Sequence, residues 1–462
     1  MNAITSAVLG YVVLQLLLGA YISRRVRTEE DYLLAGRSLG PGLVVFSIFA
    51  TWFGAETCLG AAGAVYANGL SGGRGDPLGY ALCILFLGFM FALPLWRMKL
   101  TTAADLYRRR YSRPVETLVV VITVPTSLLW AAAQIRAFGQ VISAVSGIDP
   151  TVTITIAAVV VVVYTMLGGF LADVWTDVIQ GITLTAGLLM LVFVVLRRHG
   201  AELVSSIDPE RIRLLDPSVS PLVMIEALAI PILGSVMAPE LIARVLAARS
   251  GQVARVAAIS AGGVYFLVGL VPVALGLLGY VLIPGLEDPE QILPRLAEMH
   301  LSPVLYAIFA GAILSAILST ADSTLLVSSS LVVHNLLGPR LAHLGEHAKV
   351  TFHRAGVAVF GVVAYGLAFS AEGVYALVVE ASAFGSAGIF VVGAIGLRSR
   401  IGAAPSALLS ISLGAATWIL GAYIVGWDYP YLVSLAAAAL GYLLGLPFGR
   451  NEGRALHASV AG

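Results

Sequence analysis

The stretch SAILSTADSTLLVSSS, Ser315 to Ser330, places eight hydroxyls and one aspartate inside an apolar segment that runs from about Pro303 to Val333. On a helix, residues i, i+3, i+4 and i+7 share a face. Ala316, Ser319, Thr320 and Ser323 have that spacing, and Asp322 borders the same face. Hydroxyls and carbonyls at close quarters are hard oxygen ligands, suited to a small hard cation such as Na⁺. Ser and Thr also join helices in membranes by close packing and back-bonding, and that is the role expected of Ser328, Ser329 and Ser330. Ser319, Thr320 and Asp322 are assigned to an ion, because an acid in the middle of a membrane is expensive and usually functional.

The composition makes the membrane the natural solvent. The chain has 462 residues, 59% hydrophobic and 11% charged, with mean hydropathy +0.93. A soluble domain carries about a quarter charged residues. A net charge of +1 argues against a nucleic-acid partner. Cys58 and Cys83 both lie in apolar segments and read as packing residues, which leaves the redox compartment open. There is no G-x-S-x-G, H-E-x-x-H or Walker loop, so neither an enzyme nor a nucleotide-driven pump is expected.

Apolar stretches long enough to span recur thirteen times, at about 3–23, 41–67, 77–97, 115–147, 151–168, 176–196, 221–246, 254–284, 301–338, 350–371, 373–397, 401–425 and 429–448. The expected fold is therefore an all-α integral membrane protein, a single transporter domain over 1–462. With the N-terminus outside, 20 of the 27 Lys and Arg fall in inside segments, three of them near 244–255. This predicts an N-out, C-in, multi-pass protein of the cell membrane. The stretch from Ala3 to Ile22 is read as a retained helix rather than a signal peptide.

Two spans look broken. FSIFATWFGAETCLGAAG, Phe46 to Gly63, has Thr51, Gly54, Glu56 and Thr57 near its middle; IPILGSVMAPELIARVL, Ile230 to Leu246, has Pro231, Gly234, Pro239 and Glu240. With the first helix set aside, they open two five-helix sets, 41–196 and 221–397, followed by two C-terminal helices over 401–448. An odd number of spans per set makes the second inverted relative to the first. Interrupted helices at matching places in inverted halves point to a transporter's midplane site.

LSTADSTLL, preceded by GAILSAI, resembles the eighth core helix of the solute:sodium symporter family. GGFLADVWTDVIQ (Gly168–Gln180) resembles its signature segment, and AGRSLGP (Ala35–Pro41) the loop before its first core helix. The resemblance covers nearly the whole chain, about Asp31 to Leu446, and implies thirteen helices, N-out/C-in topology and a LeuT-like five-plus-five inverted repeat. It implies a Na⁺ site built from the carbonyls of Ala50, Phe53 and Ala316 and the hydroxyls of Ser319 and Thr320. It also implies a possible second cation at Asp177, Asp322 and Ser323.

Within the family, ATWFGAE, DPLGYALC, LLWAAA and the ADST segment look closest to the choline-transporter branch, which cages a quaternary ammonium with aromatic rings. Trp52, Tyr80 and Trp130 match three cage positions, while Met237 and Val378 stand where two tryptophans would be. Glu380, in VYALVVEASAFG, is the expected carboxylate contact for an amine; Glu56 is expected to satisfy broken backbone, Arg136 to pair with an acid or bind a substrate carboxylate, and Asp173 to be a solvated or capping residue at the inner mouth. The implied function is Na⁺-coupled import of a small organic solute, with an amine, amino acid or choline-like cation favoured and organic acids left open by Arg136. The alternatives are proton coupling at Asp177 and Asp322, a solute sensor of the same fold signalling through a partner, and an intramembrane enzyme, for which no basic partner of a serine is seen. The partners are the solute and the bilayer, with no nucleotide.

Overall fold

The computed structural model describes residues 28–460 apart from 216, 218 and 370–372, together with a few isolated positions before 28. The expected first span at 3–23 thus lies, but for those positions, outside the described residues. No strands occur among the described residues. In hydrocarbon a backbone group finds no water, so each segment must close its hydrogen bonds within itself, and helices do so.

The described run from residue 28 opens with α1 (Glu29–Leu34), started by a capping box in which Thr28 and Asp31 satisfy each other's backbone N–H. The first broken span follows: α2 (Pro41–Trp52), a π turn over Glu56–Ala61, and α3 (Ala62–Asn68). α4 (Tyr80–Phe86) and α5 (Ala92–Arg97) form the next span, α6 (Ala104–Arg110) lies at its end, and α7 (Arg113–Ser146) crosses back. The spans expected at 151–168 and 176–196 are two limbs of one run, α8 (Pro150–Ser205), divided where Gly169 takes φ +62° against the ring of Tyr32. Only glycine adopts that backbone without strain.

The second broken span pairs α9 (Pro221–Ala229), a π turn over Ile230–Gly234, and α10 (Pro239–Ala247); its two limbs are bent by 43°. α11 (Gly251–Leu282), the short α12 (Ile292–His300), the hydroxyl-rich α13 (Pro303–Ser330) and α14 (Glu346–Leu367) come next. A third bend, of 46°, separates α15 (Val374–Ala383) from α16 (Ser386–Arg398); hydropathy did not signal it. α17 (Ala404–Ile419) and α18 (Pro430–Val460) end the chain and are joined by Ser434 Oγ donating to the Gly414 carbonyl at 2.7 Å. Eight described helical runs are long and apolar enough to cross a membrane, or up to ten if each bent pair is one span.

Burial follows the solvent. Phe193, Val359, Val362 and Leu443 are exposed on the outside of the bundle, where a water-soluble monomer would not tolerate so much apolar surface. Nearly every residue of α13 from Phe309 on is buried, hydroxyls included, because this helix runs through the middle against α7, α8 and α2. At the end of the bundle that holds α1, Glu29 accepts hydrogen bonds from His334 at 3.0 Å and His353 at 3.1 Å. These bonds, His334's first, hold its carboxyl well below the usual range.

The tight crossings depend on small residues. A Cβ at Gly139 of α7 would lie 2.6 Å from the backbone of Ile154 in α8, whereas one at Gly263 of α11 would meet nothing within 4 Å. Gly139→Ala should therefore destabilise the protein by about 1–3 kcal/mol through overpacking, and Gly263→Ala should be neutral or slightly stabilising. Thermal unfolding in detergent reads both; equal midpoints for the two variants would contradict the packing described.

Candidate ion and solute site

The break after α2 sets the site. Trp52 is the last helical residue, and Phe53 leaves the helix at φ −94°, ψ 63° while still donating its N–H to the Phe49 carbonyl at 2.9 Å. Beyond it, the Ala55 N–H is accepted by Gln134 Oε1 at 2.9 Å, and Gln134 Nε2 donates to Glu56 Oε2 at 2.8 Å. Gly54 has no room for a side chain, since a Cβ there would sit 2.6 Å from Glu56 Oε2 and from Thr320 Oγ1. Glu56 thus meets the break through Gln134, which takes the Ala55 N–H, while its own Oε1 has no partner. Gln134, which no motif singled out, is the group on α7 that clamps it.

α13 faces this break directly. Thr320 Oγ1 donates to the Thr51 carbonyl at 2.8 Å and lies 3.4 Å from the Ala316 carbonyl. Ala50, Phe53, Ala316, Ser319 and Thr320 are all buried, and the structure brings α2 and α13 together at these residues. The Ser319 hydroxyl gives its proton to Asp177 Oδ1, leaving its lone pairs for another ligand. Thr51 Oγ1 is buried without a hydrogen-bond partner beside them. The oxygen set is what a small hard cation takes, and an orphaned buried hydroxyl in such a set fits a ligand rather than a dry contact.

Next to it lies a buried acid cluster. Asp177 Oδ2 accepts from Ser47 Oγ of α2 at 2.5 Å, and Ser323 Oγ lies 3.0 Å from Asp173 Oδ2. Asp322 hydrogen-bonds to Asp173, while its Oδ1 has no partner. Between these groups stands Arg244, fully buried. Its Nη2 is 2.8 Å from Asp173 Oδ2, 3.4 Å from Asp177 Oδ2 and 2.6 Å from Ser323 Oγ. Nη1 donates to the Glu240 carbonyl at 3.0 Å and Nε to the Ser47 carbonyl at 3.3 Å. Two expectations change here. Asp173 is buried in this cluster, not solvated at a mouth, and Arg244 is an interior cation, not one of the loop charges near 244–255. The signal was present: Arg244 falls one helical turn after Glu240, on the inward face of a short amphipathic helix.

The expected solute contacts divide. Trp52 and Trp130 meet edge to face, ring centres 4.8 Å apart. Trp130 and Met237 line a cavity of about 50 Å³ together with Ser127, Glu240 and Ser382. Tyr80 stands one layer behind, its hydroxyl 2.8 Å from Ser382 Oγ, and Val378 is buried. Glu380 is not brought to this cavity: it accepts a hydrogen bond from Tyr423, beyond the end of α17. The carboxylate that does line it is Glu240, at the start of α10, held by Ser127 Oγ at 2.6 Å. Arg136 donates to the Ala368 carbonyl at 3.0 Å and lines a separate vestibule of about 380 Å³ with Asp288, Glu290 and Glu298.

Comparison with known proteins agrees with this fold. The structure resembles a Na⁺-coupled sialic acid symporter in a substrate-bound outward-open state, with TM-score 0.83 over 97% of this chain and 98% of that one at 18% identity. It resembles the nucleobase-cation-symport-1 family transporter Mhp1 more distantly, with TM-score 0.63 over 91% of this chain and 94% of the other at 17% identity. These likenesses show a shared LeuT-like transporter fold. In sequence, the chain is 25% identical to high-affinity choline transporter 1 of Caenorhabditis elegans over 80% of its own length and 69% of the relative's. It is 29% identical to the high-affinity proline transporter PutP of Bacillus subtilis, covering 77% of this chain and 78% of the other. The Drosophila melanogaster choline transporter is matched over 63% of its length, so this chain spans about two thirds of the animal proteins. The profile of the sodium:solute symporter family matches residues 32–410, well over half of the chain. The broken helix, the oxygen set facing it and this match together make the chain a member of the sodium:solute symporter family, a multi-pass membrane transporter and not an enzyme.

Proposed function

We propose that this protein imports a small organic solute together with Na⁺ by alternating access, in the cell membrane with its N-terminus outside and C-terminus inside. The observation that carries the proposal is the Thr320 hydroxyl set between the Thr51 and Ala316 carbonyls at the α2 break. Sodium there would be held by the carbonyls of Ala50, Phe53 and Ala316 and the hydroxyls of Ser319 and Thr320. It would join the first and eighth core helices of a five-plus-five inverted repeat.

An ion at this seam drives transport only if it prefers one arrangement of the helices over another. The seam lies between α2, whose second limb is separated from it by the break, and α13, which is continuous. A cation bridging the two favours the arrangement in which they touch, which is also the one that closes the wall around Trp52 and Trp130. The cavity of about 50 Å³ is much smaller than the vestibule of about 380 Å³ lined by Arg136, and a solute needs it to widen.

The solute reading follows the lining. One tryptophan, Trp130, several hydroxyls and one carboxylate, Glu240, favour a cationic head over an organic acid. Choline and proline, the solutes named for the relatives, are the first to test, with other amines and amino acids beside them.

Sodium should stabilise the purified protein relative to potassium at equal ionic strength. A ligand at a hundred times its Kd adds about 2.7 kcal/mol, and Thr320→Ala should abolish most of that gain. A sodium effect unchanged in Thr320→Ala would place the ion elsewhere, and none in the wild type would remove sodium coupling in favour of protons.

In proteoliposomes loaded without sodium, uptake of the solute found by this screen should require external Na⁺. Trp130→Ala should raise KM several-fold or more, corresponding to the roughly 0.5–2 kcal/mol of a cation–π contact. Unaltered KM in Trp130→Ala would exclude this cavity as the solute site.

A further inference from the structure

We infer that Arg244 is the resident cation of the second ion position, so that the protein carries one sodium at the α2–α13 seam and none at Asp177. The inference rests on the sodium-symport reading above, but concerns a different set of atoms.

Both oxygens of Asp177 are already engaged. Oδ1 accepts from Ser319, and Oδ2 accepts from Ser47 at 2.5 Å and faces the guanidinium at 3.4 Å. Of the other two expected ligands, Ser323 lies 2.6 Å from Arg244 Nη2, and Asp322 is hydrogen-bonded to Asp173 with its Oδ1 left without a partner. A sodium ion at these oxygens would have to share Asp177 Oδ2 and Ser323 Oγ with a full positive charge buried in the same low-dielectric pocket, where like charges are poorly screened. While Arg244 is in place, Asp177 and Ser323 are therefore taken, and the one free oxygen of Asp322 is too few ligands to hold a hard cation by itself.

The guanidinium meets the requirements of the position well. It is fully buried, and every nitrogen has an acceptor: Asp173, Asp177 and Ser323 for Nη2, the Glu240 carbonyl for Nη1 and the Ser47 carbonyl for Nε. An arginine inside a membrane persists only when so paired, and its planar fork engages several oxygens at once where a point charge cannot. Arg244 also differs from a free ion in being tethered. It sits on α10, the second limb of a broken span bent by 43°, and it reaches α2 through Ser47, α8 through Asp173 and Asp177, and α13 through Ser323. Its charge joins the same helices that an ion would join, without entering from solution.

The alternative, an ion pair with no bearing on sodium, is separated by counting ions. Equilibrium binding of radiolabelled sodium to the purified protein should saturate at about one ion per chain in the wild type. Arg244→Gln, which removes the charge but keeps a polar side chain, should bind about one ion more, and that extra ion should survive Thr320→Ala. Wild-type binding of two ions, or no gain in Arg244→Gln, overturns the inference while leaving sodium symport intact. No binding to the wild type with one ion bound by Arg244→Gln removes the seam site but supports the tethered cation, and no binding to either overturns both readings. If Arg244→Gln does not fold, Asp177→Asn decides. The ion count should match the wild type if Arg244 is the cation there, and should fall by one if a sodium ion is.

Discussion

Inside hydrocarbon a broken helix is tolerated only if the polar backbone it releases is satisfied by protein, and the break at Phe53–Gly54 organises the structure around that requirement. Gln134 on α7 accepts from the Ala55 N–H and donates to Glu56, and Thr320 on α13 donates to the Thr51 carbonyl. The absence of a side chain at Gly54 lets both helices approach. The same geometry that satisfies the break presents carbonyl and hydroxyl oxygens to one point. The oxygens proposed above to hold sodium are thus a by-product of solving the backbone problem, which α7 and the hydroxyl-rich α13 solve together.

The acid cluster shows the companion constraint. Asp173 and Asp177 on α8 could not be buried without a positive charge close by, and α10 supplies it through Arg244. A buried pair of this kind is weak evidence for net stability, because desolvation offsets much of the attraction. Its value here is positional: five acceptors on four helices can be satisfied together only in one arrangement. Removing the arginine would leave uncompensated carboxylates in the bundle, which is the condition that draws in an ion.

The seam and the cluster would hold a cation differently. At the seam, neutral oxygens can hold a cation without binding it so firmly that it fails to leave. At the cluster, full negative charges would hold a free ion much more strongly, and a tethered cation removes that trap. The small cavity lined by Trp130 has the Glu240 side chain on its wall, and the backbone carbonyl of the same residue accepts from Arg244. Cavity wall and tethered charge are therefore linked through one short helix, α10.

Much of this was legible in one dimension. Hydropathy and the scarcity of charge determine a helical membrane protein, since no other structure spans a bilayer with these segments. Gly54, Pro231, Gly234 and Pro239 mark the broken spans because they are local breakers, and the spacing of Ala316, Ser319, Thr320 and Ser323 marks a face because helical periodicity is local too. Tertiary structure alone decided which distant groups meet. Arg244 at the edge of an apolar stretch reads as a loop charge until packing brings it beside Asp173, 71 residues away. Gln134 looks like any polar residue in a span until it is found across from Ala55. Glu380 lies two residues from a cavity-lining serine, yet its side chain leaves towards Tyr423. Periodicity tells which residues share a face of one helix; which face another helix presents in return depends on how the whole bundle fills space.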